Sequence, residues 1–151
     1  MIVSPEKPEL QVPFAQQVVG PKKIVGIYVG TKSAVRDGHL TSVGIQLGSN
    51  YAIEGACDND VCREFVNLWY EGKRPARPEA YYDKAAEEFV SHGVKFFKQN
   101  PNMGAMVLEC TGFPPFARQL QQEIDIPLFS YNTLHDFAYS VVVHRDFHGH
   151  V

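Results

Sequence analysis

The sequence predicts an α/β fold in which about four parallel strands form one sheet with helices on both faces. Short apolar, β-branched segments alternate along the chain with longer segments whose apolar residues recur at helical spacing. This alternation is typical of parallel sheets, in which helices serve as the crossovers between strands. With 151 residues, 44% of them hydrophobic, the chain is long enough to bury the core of one domain.

Four segments have the composition of buried strands. Segment 103–109, Met-Gly-Ala-Met-Val-Leu-Glu, is apolar enough for the middle of a sheet. Segment 23–29 is rich in Ile and Val and ends at Gly30, which indicates a buried strand followed by a turn. The four predicted strands are 23–29, 51–56, 103–109 and 126–130.

Between these strands, helical spacing predicts the crossovers. The clearest helix follows Pro78, where apolar and charged residues separate onto two faces. Asp58 or Asn59 is expected to cap an earlier helix, and Pro114 to open a later one. The predicted helices are 10–19, 31–43, 58–70, 79–98, 114–124 and 134–143.

The composition argues against several classes of function. The formal net charge is −3 and no strong basic cluster is present, so we expect no binding to nucleic acid. No apolar run approaches the ~20 residues of a membrane helix, so we expect no membrane partner. The first ten residues have the features of neither a signal nor a transit peptide, which makes the cytoplasm the expected compartment.

Three cysteines form an odd set without metal-site spacing, and we expect free thiols in a reducing compartment. His144, His148 and His150 lie close together near the end of the sequence. We interpret them as part of a solvated tail, because a metal site would need a fourth ligand and a curled tail. The sequence therefore predicts neither a metal nor another cofactor.

Cys110 lies where the third predicted strand ends and the helix opened by Pro114 is about to begin. Ligands of parallel sheets bind beyond the carboxyl ends of the strands. The N–H groups of the helix are expected to lower the pKa of the thiol and, with the Thr111 hydroxyl, to hold a carboxylate, while Gly112 permits close approach. This arrangement suits proton abstraction next to a carboxylate. The alternative is a buried cysteine with a structural role.

Residues 103–117, Met-Gly-Ala-Met-Val-Leu-Glu-Cys-Thr-Gly-Phe-Pro-Pro-Phe-Ala, resemble the second-lobe signature of the aspartate/glutamate racemase superfamily. Segment 126–134 resembles the strand and helix that come next in these proteins, and 23–31 resembles the first strand and loop of that lobe. The resemblance extends from about Leu10 to Gly149. It is strong around Cys110 and weak between Gly48 and Pro78.

The resemblance implies a single flavodoxin-like, racemase-type lobe over residues 21–151, preceded at 1–20 by an arm and a helix that links lobes. It implies cofactor-independent proton transfer in which two thiols, one from each lobe, face opposite sides of the substrate α-carbon. Cys110 matches the second-lobe cysteine and Thr111 the residue that binds the substrate carboxylate. Gly112 and, more loosely, Thr31 lie near the same site.

No segment of this sequence matches the first lobe, and Cys57 and Cys62 do not follow a strand in its pattern. Three interpretations remain open. A homodimer or a partner lobe supplies the second thiol, with a symmetric dimer the commonest assembly. In the second interpretation, Cys110 acts alone, as the single base of the reaction. In the third interpretation, the lobe is truncated and inactive, and binds a small carboxylate or a partner protein. We expect racemase- or isomerase-type proton transfer on a small carboxylate or amino acid, in a homodimer or with a partner lobe.

Overall fold

Four parallel strands form the centre of the structure, a computed structural model that describes residues 8–58, 61–69, 74–146 and 149. The strands lie in the order β2-β1-β3-β4. This sheet, flanked by helices, confirms the predicted α/β class. The strands are β1 (Ile24–Val29), β2 (Tyr51–Gly55), β3 (Met103–Leu108) and β4 (Leu128–Phe129).

The helices in the described residues follow the predicted order along the chain, and two of them differ most from the predicted extent. The predicted helix over 31–43 is a 3-10 segment (Lys32–Ala34) and a short helix, separated by the extended residues Val35 and Arg36. The helix predicted to begin near Asp58 begins at Arg63 instead. The helices are α1 (Gln11–Val19), α2 (Asp37–Thr41), α3 (Arg63–Trp69), α4 (Tyr82–Gln99), α5 (Pro114–Ile124) and α6 (Tyr131–Val142), with a further 3-10 segment at Pro8–Leu10. None of these helices is long and apolar enough to cross a membrane.

Two apolar cores lie on opposite faces of the sheet, because successive side chains of a strand point to opposite sides. Tyr28, Met106 and Leu108 pack against α3, α4 and α5 on one face. Ile27 and Val107 pack on the other face against α1, α2 and the residues that follow α2. The helices on both faces bury the central strands, as the apolar composition of segment 103–109 predicts.

Helices α4 and α5 approach each other closely at Gly93. A Cβ atom at this position would lie 2.7 Å from Cδ1 of Leu120, whose side chain is fully buried. Glycine is therefore required here for packing, since a larger residue would push the two helices apart. This close approach anchors α5, and with it the loop that carries Cys110, against the body of the domain.

A hydrogen-bonded cluster crosses the core beneath β1 and β2. The hydroxyl of Tyr28 lies 2.8 Å from Nδ1 of His92, and Nε2 of His92 lies 3.6 Å from Oε1 of Glu54. Burial lowers the pKa of His92 and raises that of Tyr28, so both groups are neutral at pH 7. In the neutral tautomer with hydrogen on Nε2, Nδ1 of His92 accepts a hydrogen bond from the Tyr28 hydroxyl, and the Nε2–H group faces Glu54.

Tyr28→Phe should destabilise the protein, because it leaves Nδ1 of the buried His92 without its donor. We expect a loss of roughly 1–3 kcal/mol in the free energy of unfolding, measured by urea denaturation at pH 7.5. Tyr81→Phe is the matched control, since Tyr81 is 78% exposed and should change stability by less than ~0.5 kcal/mol. Equal stability of wild type and Tyr28→Phe would contradict a structural role for this hydrogen bond.

Candidate active site at the carboxyl ends of the strands

The strand order creates a crevice between the carboxyl ends of β1 and β3. The chain leaves β1 toward β2 on one side of the sheet, and β3 begins the part of the sheet on the other side. At such a switch point the loops diverge, and ligands of parallel α/β sheets bind in the gap. Gly30–Thr31 flank this gap after β1, and Glu109–Gly112 flank it after β3. We call this gap the β1–β3 crevice.

All four of the sequence-predicted site residues lie in the two loops that flank the β1–β3 crevice. Cys110, Thr111 and Gly112 are consecutive after β3, with Thr111 exposed and Gly112 buried. Thr31 stands on the other side, half-buried, and begins the 3-10 turn by accepting the Ala34 N–H. The Gly30 N–H donates across the crevice to the Glu109 carboxylate. Thr31 is the next residue, so it lies beside the crevice.

The loop after β1 is held by Asp58, one of the two residues predicted as a helix cap; the other, Asn59, lies outside the described residues. Oδ2 of Asp58 accepts the Lys32 N–H at 2.7 Å, and its Oδ1 lies 3.4 Å from Oγ of Ser33. The carboxylate therefore satisfies the 3-10 turn beside the crevice, and α3 starts five residues later. The capping prediction was wrong because a distant loop competes for the same acceptor, which local sequence does not reveal.

The thiol of Cys110 is half-buried against the core formed with α3, α4 and α5. Its pKa is raised from 9.0 to about 11, mainly by burial; the Gly112 N–H lowers it, and the neighbouring Glu109 carboxylate adds a smaller increase. The sequence predicted a lowered pKa, and this expectation was wrong. At pH 7 Cys110 rests as a thiol.

The reason lies in the first turn of α5. Pro114 and Pro115 occupy the first two helical positions, and proline has no N–H to offer an anion or a thiolate. The ring of Phe113, the residue before the helix, is fully buried and draws the loop toward the apolar core. The desolvation of Cys110 therefore outweighs the field of a helix end that presents few donors.

Glu109 is a site residue that sequence reasoning did not single out. Its Oε2 accepts the Gly30 N–H at 3.4 Å, and its own N–H donates to the carbonyl of Tyr28 at 2.9 Å. Burial, followed by the nearby carboxylate of Glu9, raises the pKa of Glu109 from 4.5 to about 7. A carboxyl group poised near neutrality is suited to accept and return a proton. The sequence feature that could have identified Glu109 is its position as an acidic residue at the end of an apolar strand.

Successive residues at the end of β3 reach the crevice from opposite faces of the sheet. Cys110 packs with the core under α5, whereas Glu109 points to the face covered by α1, where Glu9 lies. The crevice therefore holds a proton donor, the Cys110 thiol, and an acceptor, the Glu109 carboxylate, on its two sides.

Hydrogen bonds of polar side chains hold the start of α6 at the end of β4. Nε2 of Gln11 donates to the carbonyl of Ser130 at 2.9 Å, and the Thr133 hydroxyl lies 2.9 Å from Oε1 of Gln11. The Ser130 N–H donates to Thr133 Oγ1 at 2.8 Å and caps α6. These bonds tie the start of α6 to α1.

Other features of the structure lie away from the crevice. A shallow groove of about 570 Å³ runs along α4 and is lined by residues such as Lys98, near the end of α4, and Glu123, near the end of α5. In the described part of the chain, no three His, Cys, Asp or Glu side chains come together as metal ligands would. Of the three C-terminal histidines, His148 and His150 lie outside the described residues.

Glu109→Gln should stabilise the protein increasingly as the pH rises. The folded-state pKa of Glu109 lies above its ordinary value, so its contribution to stability is complete below pH 4.5 and is lost as the pH passes 7. The variant should match wild type near pH 4.5 and gain roughly 2–3 kcal/mol by pH 8, as measured by urea denaturation. Glu123→Gln, on the exposed side of α5, is the control. A pH-independent difference would show that Glu109 is not held in an unfavourable setting.

Alkylation of Cys110 by iodoacetamide should be slow at pH 7 and accelerate about tenfold per pH unit up to the region of its raised pKa. Mass spectrometry of the modified peptides measures the rate for each cysteine. Cys62 is the internal control, since its pKa is also raised to about 11 but its side chain is fully buried and should resist the reagent. A Cys110 alkylation rate that levels off near pH 8 would contradict the raised pKa. It would mean that the helix N-terminus lowers the pKa of Cys110 more than burial raises it.

Comparison with known proteins identifies no relative of this chain: no protein-family model, no curated protein and no solved structure matches it. The candidate site therefore rests on the residues and geometry of the chain itself.

Proposed function

We propose that this protein transfers protons at the α-carbon of a small carboxylate or amino acid without a cofactor, with Cys110 as the acid/base group. The observation that supports this most directly is the location of Cys110 and Thr111 in the β1–β3 crevice, where parallel sheets bind their ligands. Thr111 is exposed there and offers a hydroxyl to a substrate carboxylate, and the backbone at Gly112 and Thr31 completes the surroundings.

Cys110 and Glu109 differ in the fraction that is ionised at pH 7. With a pKa of about 11, about one Cys110 thiol in ten thousand is ionised at pH 7. Glu109, with a pKa of about 7, is ionised in about half of the molecules. Ionisation of the thiol, with its proton passing to solvent water, leaves a thiolate, which removes the α-proton of the substrate. The carbanion electron pair spreads onto the substrate carboxylate until a proton returns to carbon.

Inversion at the α-carbon requires a proton donor on the face opposite to the base. In the proposed assembly, two copies of the chain form a homodimer, and each contributes Cys110 to one side of a shared substrate. A single copy would be limited to exchange or other one-base chemistry. We also propose a cytoplasmic location, where a reducing environment keeps the three cysteines, none of which is in a disulfide, as thiols.

A second candidate function is a lobe that binds a small carboxylate, or a partner protein, without turnover. The raised pKa of Cys110 favours it, because a thiol that stays protonated is a poor base at neutral pH. The two functions share the same crevice and differ only in whether the α-proton of the bound ligand exchanges with solvent.

Exchange in deuterated water tests the catalytic function. Wild-type protein should replace the α-proton of aspartate or glutamate with deuterium, followed by NMR, with a rate that rises about tenfold per pH unit between pH 7 and 10 because the thiolate is the active form. Cys110→Ala should abolish exchange, whereas Cys62→Ala, which removes a thiol outside the crevice, should retain it.

The second function predicts a different result. Aspartate or glutamate would raise the melting temperature of wild type, yet no exchange would occur at any pH. Neither stabilisation nor exchange, across these amino acids and malonate, would contradict both functions.

A further inference from the structure

Helix α6 exposes a face that its sequence would be expected to bury. Its apolar residues recur at i, i+3, i+4, i+7 and i+8, which places Leu134, Phe137, Val141 and Val142 on one side of the helix. In the structure, Phe137 is 66% exposed, Val141 58% and Val142 82%. The polar side carries Asp136. An amphipathic helix whose apolar side is exposed lacks a contact that its pattern requires.

Helix α1 carries a second exposed apolar stripe. Its inner side packs on the sheet through Val12 and Ala15, both fully buried. On its flank, Leu10, Phe14 and Val18 follow at i, i+4 and i+8 and are 53%, 61% and 56% exposed. This stripe is continuous along the length of the helix, so it is a surface feature and not a scatter of single apolar residues.

The two helices meet at the start of α6. Gln11 of α1 bonds the backbone of Ser130 and the side chain of Thr133, and the ring of Phe14 contacts Phe129 of β4 edge-on, with 6.2 Å between centroids. We call the exposed apolar residues of the two helices the α1–α6 surface; they are Leu10, Phe14, Val18, Phe137, Val141 and Val142.

We propose that the α1–α6 surface is the site at which a second copy of this chain docks to form a two-fold dimer. Charge favours a copy of the chain over a different partner. Helix α1 contains no charged residue, and the one acidic residue of α6 is on its polar side, whereas 21% of the whole chain is charged. Such a surface meets itself across a two-fold axis without like-charge repulsion and offers no charge for a complementary partner to match.

The exposed area also fits a dimer. The six residues of the surface present on the order of 600 Å² of apolar area. A stable interface of standard size buries roughly 800 Å² on each partner. The apolar area of these two helix faces together is therefore comparable to the area a dimer must bury.

The surface begins at the edge of the sheet that carries the β1–β3 crevice. Glu9, one residue before Leu10, influences the pKa of Glu109, and Ser130 follows the carboxyl end of β4. A copy docked there lies beside the crevice. In this respect the inference rests on the proposed function, because that function needs a second Cys110; the docking surface itself rests on the exposed helices.

Sedimentation equilibrium of the purified full-length chain, from 1 to 100 µM, tests the inference. Wild type should show twice the 16.9 kDa monomer mass. Phe137→Asp and Val142→Asp should each raise the dimer Kd about 100-fold or more, since a two-fold interface contains every substitution twice. Val142 is 82% exposed, so its substitution should leave the fold intact, which circular dichroism verifies. Leu47→Asp, 49% exposed and outside the surface, is the matched control and should remain dimeric.

Three results would overturn the proposal: a wild-type monomer at 100 µM, a dimer that survives both α6 substitutions, or a dimer that Leu47→Asp disrupts equally. The oligomer measurement is independent of turnover. A dimer that catalyses no deuterium exchange would refute the proposed function and leave the docking surface standing. A monomer that catalyses exchange would do the reverse.

Discussion

The pairing of β1 with β3 is the constraint on which the rest of the structure depends. These two strands occupy the centre of the sheet, and their side chains supply both apolar cores. Because β2 lies on one side of the pair and β4 on the other, the loops after β1 and β3 diverge and leave the crevice between them. The same pairing brings the Gly30 N–H to the carboxylate of Glu109, two residues that are 79 positions apart in the sequence.

At the crevice, desolvation governs the chemistry of the titratable groups. Cys110 and Glu109 are neighbours in the chain and face opposite sides of the sheet, yet burial is the largest cause of the raised pKa in both. The two shifts have different consequences. The thiol is held in its proton-donating form, whereas the carboxyl is moved to the pH range in which it exchanges protons most readily. Formation of the Cys110 thiolate is therefore opposed by burial and by the Glu109 carboxylate, and favoured by the Gly112 N–H.

The polar groups of the core show how this small domain satisfies buried hydrogen-bonding atoms. Tyr28 and His92 pair as neutral partners within an aromatic cluster, and Gln11 joins the end of β4 to α6. The second of these contacts fixes where α6 starts but leaves its apolar side uncovered. Helix α6 is thus tied to α1 and β4 at its first turn, and within the described residues its apolar side stays exposed.

The sequence by itself determined the class of fold, the order of strands and helices, and the position of Cys110 at the end of a central strand. These features follow from the spacing of apolar residues and from the prolines and glycines at which helices and strands begin or end, and both act within a few residues. Tertiary structure alone decided the raised pKa values of Cys110 and Glu109, the hydrogen bonds of Asp58 to the loop after β1, and the exposure of α6. Each depends on which distant segments remove water from a group or offer it a hydrogen bond, and the local sequence pattern does not predict those contacts.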